Sequence, residues 1–335
     1  MSKPELREYG SWPSPISSSQ LTEKSRRLLF SGADLQVDCE NDGIIYFSEP
    51  QAHMKVDDLS LCPTEWHVNN CKISALIHGF VDLEKTESLT EWTIPEHSSR
   101  SSVHEYGGGA FGVRAGVLYY VNAADQEIWA QTAPLAQPRQ ITNCPPAPEY
   151  EHCRYADLVI GKEGIYCIRE DHGPVVAKTA KEPDNCLVYI DTKTGAQTVL
   201  ASGSDFYCSP VLSQDNKRIA WVQWHHPMMP WDATEIWLAE IDGSSLVKDS
   251  MQMIVGHSED SYAKPKFDRK GELYYISDEN VWWNVYRRDK EAPGGAVNVY
   301  EVEADLGDPH WVFGVHCYDF DPTGSGKMVI RLPAK

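Results

Sequence analysis

Short apolar runs, rich in β-branched and aromatic residues, recur along the chain and are separated by Gly, Asp, Asn or Pro. Clear examples are the segments 165–168, 186–190, 235–238 and 283–286. Runs of four to eight such residues bounded by turn residues are typical of strands joined by hairpins. Extended 3.6-residue periodicity is lacking, so the pattern predicts an essentially all-β fold.

A tyrosine precedes a pair of such runs five times, at intervals of 49, 52, 55 and 56 residues. The tyrosines are Tyr106, Tyr155, Tyr207, Tyr262 and Tyr318. The second strand of each unit is centred 10 to 12 residues later, on Leu118, Ile165, Ile219, Leu273 and Met328, and an earlier unit without the tyrosine is centred on Ile45. A four-stranded unit repeated every ~50 residues is typical of a propeller blade. The sequence therefore predicts a β-propeller of four-stranded blades, with a β-sandwich of coincidental spacing as the alternative.

The units also predict the domain organisation. Six second strands indicate about six blades, and because Lys335 follows soon after the last of them, we expect an incomplete sixth blade. The propeller is predicted over residues 29–335. Residues 1–28 are predicted to be an N-terminal extension with a short helix, since Ser17 to Gln20 offer a capping box.

Charge and cysteine content narrow the class of partner. The chain has 49 acidic and 30 basic residues, a net charge of −19, which disfavours nucleic acid and anionic membrane surfaces as partners. No apolar run approaches the ~20 residues of a membrane-spanning helix. The nine cysteines are scattered, without a Cys-x-x-Cys pair, and Asn-x-Ser/Thr is missing. We therefore expect buried, reduced thiols and a cytoplasmic location.

Three catalytic or cofactor motifs fail on inspection. The glycines of 107–112 formally fit G-x-G-x-x-G, but a strand-like run follows instead of the helix that a dinucleotide site requires. His104-Glu105 lacks the second histidine of a zinc helix, since position 108 is Gly. The chain contains no Gly-x-Ser-x-Gly elbow. We therefore predict no catalytic residue, no metal site and no cofactor within this chain.

Eight ordered segments together resemble the N-terminal propeller of prolyl-oligopeptidase-family serine peptidases, in the dipeptidyl- and acylaminoacyl-peptidase-like branch. They are 9–16, 102–109, 154–157, 169–172, 221–232, 234–237, 277–284 and 311–314. The resemblance implies a parent with a seven-bladed propeller that caps a C-terminal α/β-hydrolase domain and admits short peptides. That catalytic domain is not expected within these 335 residues. The implied partners are short peptide substrates, through the parent enzyme, and the hydrolase domain in cis.

The first strand of each propeller blade lines the central channel. The tyrosine segments occupy that position, which makes seven residues candidates for the channel or its rim: Glu105, Tyr106, Arg154, Tyr155, Asp205, Tyr207 and Tyr262. Side chains alternate between faces of a strand, so about half can face the channel. The alternative for the tyrosines is packing between blades. Glu105 and Asp205 further predict a negative potential along the channel, unless the excess acid is solvated on outer strands.

The function predicted from these features is that of a non-catalytic, substrate-gating propeller of a serine exopeptidase or oligopeptidase, here as a truncated form. One alternative is a stand-alone interaction propeller of the WD-repeat kind, although the sequence holds a single Trp-Asp dipeptide, at 231–232. A second is a metal-dependent, lactonase-like propeller hydrolase, for which the sequence suggests no ligand set.

Overall fold

The computed structural model describes residues 35–38, 44–50, 71–76, 89–144, 153–256, 259–307, 310–320 and 327–330. The chain divides into two compact units, Met1–Ser31 and Gly32–Lys335, and every described residue belongs to the second. The predicted extension and helix of residues 1–28 lie outside the described residues.

Six antiparallel sheets are present among the described residues. Sheet 1 contains β1 (Leu35–Asp38), β2 (Ile44–Pro50), β3 (Cys71–Leu76) and β4 (Leu89–Glu91). Sheet 2 contains β5 (Phe111–Arg114), β6 (Val117–Val121), β7 (Ile128–Gln131) and β8 (Arg139–Gln140). Sheet 3 contains β9 (Cys153–Ile160), β10 (Gly164–Asp171), β11 (Asp184–Asp191) and β12 (Gln197–Ser202).

The remaining sheets follow the same order. Sheet 4 contains β13 (Phe206–Leu212), β14 (Arg218–Trp224), β15 (Glu235–Asp242), β16 (Ser245–Leu246) and β17 (Gln252–Gly256), the last two both pairing with β15. Sheet 5 contains β18 (Tyr262–Phe267), β19 (Leu273–Ser277), β20 (Asn284–Arg288) and β21 (Ala296–Asn298). Sheet 6 consists of β22 (Tyr318–Phe320) and β23 (Met328–Ile330).

Helical structure is limited to short turns in the described ranges. These are α1 (Gly173–Val176) and one 3₁₀ turn (Pro293–Gly295). Within those ranges no helix has the length and apolar character needed to cross a membrane. The prediction of an all-β fold built from four-stranded antiparallel sheets is confirmed.

The second strands form the buried centres of their sheets. In β10, Gly164 to Ile168 are buried without interruption, and in β14 six consecutive residues from Ile219 to Trp224 are buried. Both faces of these strands are covered by neighbouring sheets, which is why the sequence shows continuous apolar runs rather than alternation. Trp221, fully buried in β14, keeps its polar atom satisfied because its Nε1 donates to Gln223 Oε1 at 2.9 Å.

The first strands lie beside one another. β5 contacts β9, β9 contacts β13, and β13 contacts β18, so the free edges of four sheets come together along one line. We call β5, β9, β13, β18 and the segment 310–320 the inner segments.

A β-bulge interrupts three inner segments at equivalent places. The ladder shifts register between Ala156 and Val159 in β9, between Cys208 and Val211 in β13, and between Ala263 and Lys266 in β18. Each bulge contains one residue in the left-handed region, with φ of 53°, 51° and 51° at Asp157, Ser209 and Lys264 respectively. A bulge re-aims side chains, and these three lie two residues after a repeat tyrosine.

Three of the five repeat tyrosines are equivalent in the structure. Tyr155, Tyr207 and Tyr262 each lie five residues before the end of the first-strand ladder, at Ile160, Leu212 and Phe267. That shared position places them in the buried interior, at 0–1% exposure.

The position predicted for Tyr106, within a first strand, is wrong. Tyr106 lies five residues before β5 begins, because the glycine run at 107–109 intervenes. The spacing from tyrosine to second strand includes such connecting residues, so the count was met without the register. Tyr318 is the first residue of β22, and its described ladder with β23 runs to Phe320.

Candidate functional site

Two of the predicted site residues meet in an ion pair at one end of the sheets. Successive strands of an antiparallel sheet run in opposite directions. The starts of the inner strands and the loops that join second to third strands therefore lie at the same end of the sheets, which we call the mouth. Arg154, near the start of β9, donates through Nη1 to Glu105 Oε1 at 2.6 Å and to the Ser102 carbonyl at 2.9 Å. Tyr106 follows Glu105 at the mouth, exposed and in edge contact with Trp311 at 4.5 Å.

A buried carboxylate underlies this ion pair. Glu170, at 3% exposure, accepts hydrogen bonds from the His104 backbone N–H at 2.9 Å and from Arg154 Nη1 at 3.4 Å, and pairs with His172 Nε2 at 2.6 Å. Burial acts to raise the pKa of Glu170, but the hydrogen bonds from His172 and the His104 N–H bring the pKa below its ordinary value. Glu170 is therefore ionised and holds Arg154 in place.

Glu105 presents a carboxylate to solvent. Its side chain is 75% exposed, and its backbone is left-handed, with φ of 65°. Arg154, which is only 15% exposed, is shared between Glu105 and the buried Glu170. Two carboxylates on one guanidinium leave net negative charge at the mouth, which suits a cationic group such as a peptide amino terminus.

The loop that carries Glu105 reaches across several sheets. Ser101 Oγ donates to the Tyr155 carbonyl in sheet 3, and the Phe313 N–H donates to the Gly107 carbonyl at 3.0 Å. The ring of His104 lies 5.1 Å from that of Phe206 in sheet 4 and 4.9 Å from that of Phe313. Burial lowers the pKa of His104, so this ring packs as a neutral group. The loop 101–108 thus covers the inner segments at the mouth.

The remaining predicted residues lie apart from the Glu105–Arg154 pair. Asp205 precedes β13 and accepts a hydrogen bond from the His226 backbone N–H at 2.9 Å. Each buried tyrosine has its hydroxyl satisfied: Gln197 Nε2 donates to Tyr155, the Ser204 N–H donates to Tyr207, and Tyr262 donates to Asp260. Contact of any of the seven residues with a substrate stays a prediction.

A central cavity lies along the inner segments. Its volume is about 600 Å³, and its wall includes residues from β5, β9, β13, β18 and the segment 310–320. The seven residues predicted to line a channel are not among those that line this cavity.

Asp157 connects three inner segments at this cavity. Its Oδ2 accepts from the Ser209 N–H at 2.7 Å and its Oδ1 accepts from the Gly314 N–H at 3.2 Å. Gly109 lies so close that a Cβ there would be 2.7 Å from the Asp157 backbone nitrogen. Burial raises the pKa of Asp157 to about 6, against the opposing effects of these backbone N–H groups and of the Lys264 charge. The Asp157 side chain therefore links β9 to β13 and to the segment 310–320.

The cavity wall is not acidic. Its charged residues are Asp157, Asp319, Lys264 and Lys266, two of each sign. The prediction of a negative potential along the channel therefore does not hold for this described wall, and the excess of acidic charge among the predicted site residues lies at the mouth. Among the described residues, no three His, Cys, Asp or Glu side chains are grouped so as to hold a metal ion.

Sequence reasoning missed Asp157, Lys264 and His310 as wall residues. For the first two a signal was present, since they and Ser209 stand two residues after equivalent tyrosines, and two of the three positions precede a proline. His310 has no counterpart in the repeat.

Three solved structures with TM-scores above 0.7 are of puromycin-hydrolysing proteins about twice as long as this chain. Puromycin hydrolase matches 94% of this chain with a TM-score of 0.72 at 20% sequence identity, and the match covers 45% of that chain. A mutant of puromycin hydrolase complexed with PGG matches 96% of this chain and 49% of its own length, with a TM-score of 0.71 at 21% identity.

A puromycin-hydrolyzing peptidase of Mycobacterium tuberculosis matches 96% of this chain with a TM-score of 0.71 at 25% identity, and the match covers 45% of that peptidase. The chain thus spans just under half the length of each of these three solved chains. No family model matches the sequence, and no curated protein does so either. The match over about 95% of the chain confirms the resemblance seen in the sequence: the chain has the fold of the propeller half of puromycin hydrolase, a prolyl-oligopeptidase-family peptidase.

Proposed function

We propose that this chain is a non-catalytic, substrate-gating propeller of a serine exopeptidase or oligopeptidase that acts on short peptides. The observation that carries the proposal is the match of 94–96% of the chain to the propeller half of puromycin-hydrolysing peptidases. In this proposal the six sheets are six blades, the sixth incomplete, of a seven-bladed parent. The parent supplies the catalytic hydrolase domain in cis.

The mouth offers a surface for that domain. Exposed apolar side chains stand on two loops that join second to third strands: Met228, Met229 and Trp231 in sheet 4, Val281 and Trp282 in sheet 5. The exposed Tyr106–Trp311 pair belongs to the same end. Exposed apolar groups gathered at one end are typical of an interaction surface. We propose that the hydrolase domain covers the mouth, so that substrates reach the active site past Glu105.

The thiols fit a cytoplasmic location, which we include in the proposal. Six cysteines have side chains that the structure describes, all as free thiols, and five of them are buried. Free buried thiols are ordinary in reducing compartments.

The first expected result is that the purified 335-residue chain has no peptidase activity, because its sequence contains no nucleophile elbow. Turnover is measured with puromycin and with a chromogenic aminoacyl anilide, and active-site serine is probed with a fluorophosphonate. The puromycin-hydrolyzing peptidase of Mycobacterium tuberculosis serves as the positive control. Turnover that the fluorophosphonate abolishes would overturn the non-catalytic role.

The second expected result concerns Glu105. Glu105→Gln keeps the shape of the side chain and removes its charge, so it should weaken binding of a short peptide amide with a free amino terminus by roughly threefold, as expected for an exposed ion pair. Binding of the N-acetylated peptide amide should not change. Isothermal titration of the 335-residue chain measures both, and the difference should shrink at high salt.

A matched control is Glu240→Gln, an exposed glutamate on β15. It removes the same charge from the chain and should leave both peptides unaffected. Equal weakening of both peptides by Glu105→Gln, or none, contradicts recognition of the amino terminus at the mouth.

A further inference from the structure

The wall of the central cavity combines apolar side chains with cationic and imidazole side chains, none of which belongs to the mouth site. The cavity volume of about 600 Å³ lies in the range typical of small-molecule pockets. Apolar side chains form much of the wall, among them Phe111, Val159, Val211, Phe313 and Phe320. The same wall holds Lys264, Lys266 and His310. A ligand that matches this wall has an apolar body and a polar group that accepts hydrogen bonds from the ammonium groups and from a neutral imidazole.

His310 has unmet hydrogen-bonding capacity in the wall. The side chain is 5% exposed, its ring lies 5.7 Å from the ring of Trp283, and neither Nδ1 nor Nε2 has a partner among the described residues. A buried polar group without a partner costs roughly 1–3 kcal/mol, so such groups generally mark a position where another molecule supplies the missing bond. His310 is one of the residues that line the cavity, so its buried ring is the unpartnered polar group next to a ligand bound there.

The potential at His310 is positive. Lys264 is 6% exposed and donates through Nζ to the Val315 carbonyl at 2.8 Å. Burial, and then the charge of Lys264, lower the pKa of His310 to about 3, so the ring is neutral at physiological pH. A neutral imidazole retains one N–H donor, and the nearby ammonium favours a negatively charged acceptor for that donor.

The carboxylates of the wall are committed elsewhere. Asp157 accepts from the N–H groups of Ser209 and Gly314, and Asp319 pairs through Oδ2 with Lys266 Nζ at 3.0 Å. His310 therefore receives no carboxylate from the described wall.

We propose that the central cavity binds an organic carboxylate with an apolar body, its carboxylate accepting a hydrogen bond from His310 in the field of Lys264. The apolar body packs against the phenylalanine and valine side chains of the wall. Inorganic phosphate lacks that body. The carboxyl terminus of a short apolar peptide and a small aromatic acid are two sources of the same chemistry.

The test is isothermal titration of the 335-residue chain with defined probes. N-acetyl-Ala-Phe and benzoate carry the carboxylate, and the C-terminal amide of N-acetyl-Ala-Phe lacks it. We expect saturable binding of at least one carboxylate, with the amide weaker by roughly tenfold or more, the effect of losing a charged hydrogen bond. Tighter binding of the dipeptide than of benzoate indicates a peptide source, and the reverse order a small acid. Inorganic phosphate should not compete.

Two variants address the proposed contacts. His310→Phe keeps an aromatic ring and removes both nitrogens, and Lys264→Met keeps the aliphatic stem and removes the charge. Each should weaken carboxylate binding roughly tenfold and leave the amide unchanged. Lys217→Met removes the same charge from an exposed turn and should have no effect. If Lys264→Met does not fold, Lys266→Met, whose side chain is 18% exposed, replaces it.

Three results would overturn the proposal: no saturable binding of either carboxylate, equal binding of carboxylate and amide, or wild-type binding by the folded variants. Any of them means that His310 and Lys264 do not recognise a carboxylate in this cavity. The acetylated dipeptide has no free amino group that Glu105 could bind. A failure of this probe to bind the cavity is therefore independent of the result of the Glu105→Gln experiment at the mouth.

Discussion

Replacing Gly109 with alanine is expected to lower the free energy of unfolding by about 2–5 kcal/mol. The backbone of Gly109 is left-handed, with φ of 56°, a conformation that costs alanine roughly 1 kcal/mol or more. The added Cβ would also lie 2.7 Å from the backbone nitrogen and 2.9 Å from the Cα of Asp157, so sheets 2 and 3 would have to separate. Urea denaturation followed by tryptophan fluorescence measures the loss.

Gly243 supplies a matched control. Its φ is 59° and a Cβ there would meet nothing within 4 Å, so Gly243→Ala carries the conformational cost alone, about 1 kcal/mol. The difference between the two variants isolates the close approach of Gly109 to Asp157. Equal losses at both positions would show that this close approach is not a constraint on the fold.

Asp157 is expected to make stability fall as pH rises from about 4 to about 6, because its pKa in the folded chain is raised to about 6. Between the ordinary pKa of aspartate and this value, the folded state binds more protons than the unfolded state, so raising the pH favours unfolding. The stabilisation by Asp157 is complete at pH values below its pKa in the unfolded chain, and it is lost as the pH rises past its pKa in the folded chain. Part of the Asp157 surface faces the cavity, where water screens the charge, so we expect about 2 kcal/mol rather than the full shift.

The measurement compares the wild-type chain with Asp157→Asn at several pH values. Other buried groups titrate in the same range, His104 and His310 among them, and they cancel in the difference between the two proteins. The free-energy difference between wild type and variant should shift by about 2 kcal/mol in favour of the wild type as pH falls from 7 to 4. A difference that stays constant over this range contradicts a raised pKa at Asp157.

The sheets were predictable because their second strands are apolar on both faces. Ile165, Ile219 and Leu273 were placed as strand centres from sequence alone, and each lies in the second strand of its sheet. A strand that is buried on both faces has apolar residues at every position instead of an alternation of apolar and polar ones. Such an apolar run can be recognised in the sequence without knowing which strands pack against it. The first strands were harder, because the distance from a tyrosine to the next strand mixes strand length with turn length. Tyr106 satisfied the count without lying in a first strand.

The candidate site was predictable in part. Glu105 and Arg154 were both named from sequence, but their contact joins positions 49 residues apart and required the packing of sheet 2 on sheet 3. Glu170, the buried carboxylate that also binds Arg154, belongs to no sequence motif that would have marked it as a site residue. The wall residues Asp157 and Lys264 depend on bulges, which turn a side chain out of the ordinary alternation of a strand. An interpretation that assumes strict alternation of side chains along a strand therefore assigns such residues to the wrong face of the sheet.

The loop 101–108 has a consequence for the order in which the molecule assembles. Sheets 2 to 6 pair strands that are neighbours along the chain, apart from β17, which pairs with β15 across the short strand β16, so their hairpins close short segments and can form early. The contact of Gly108 with Phe313 joins residues 205 positions apart (313 − 108), and closing so long a segment carries a larger entropic cost. This contact therefore forms after the sheets exist. The reverse also follows: because the bridge between Gly108 and Phe313 lies outside the named strands, the loop can detach from Phe313 while every sheet stays paired, which is local opening rather than unfolding.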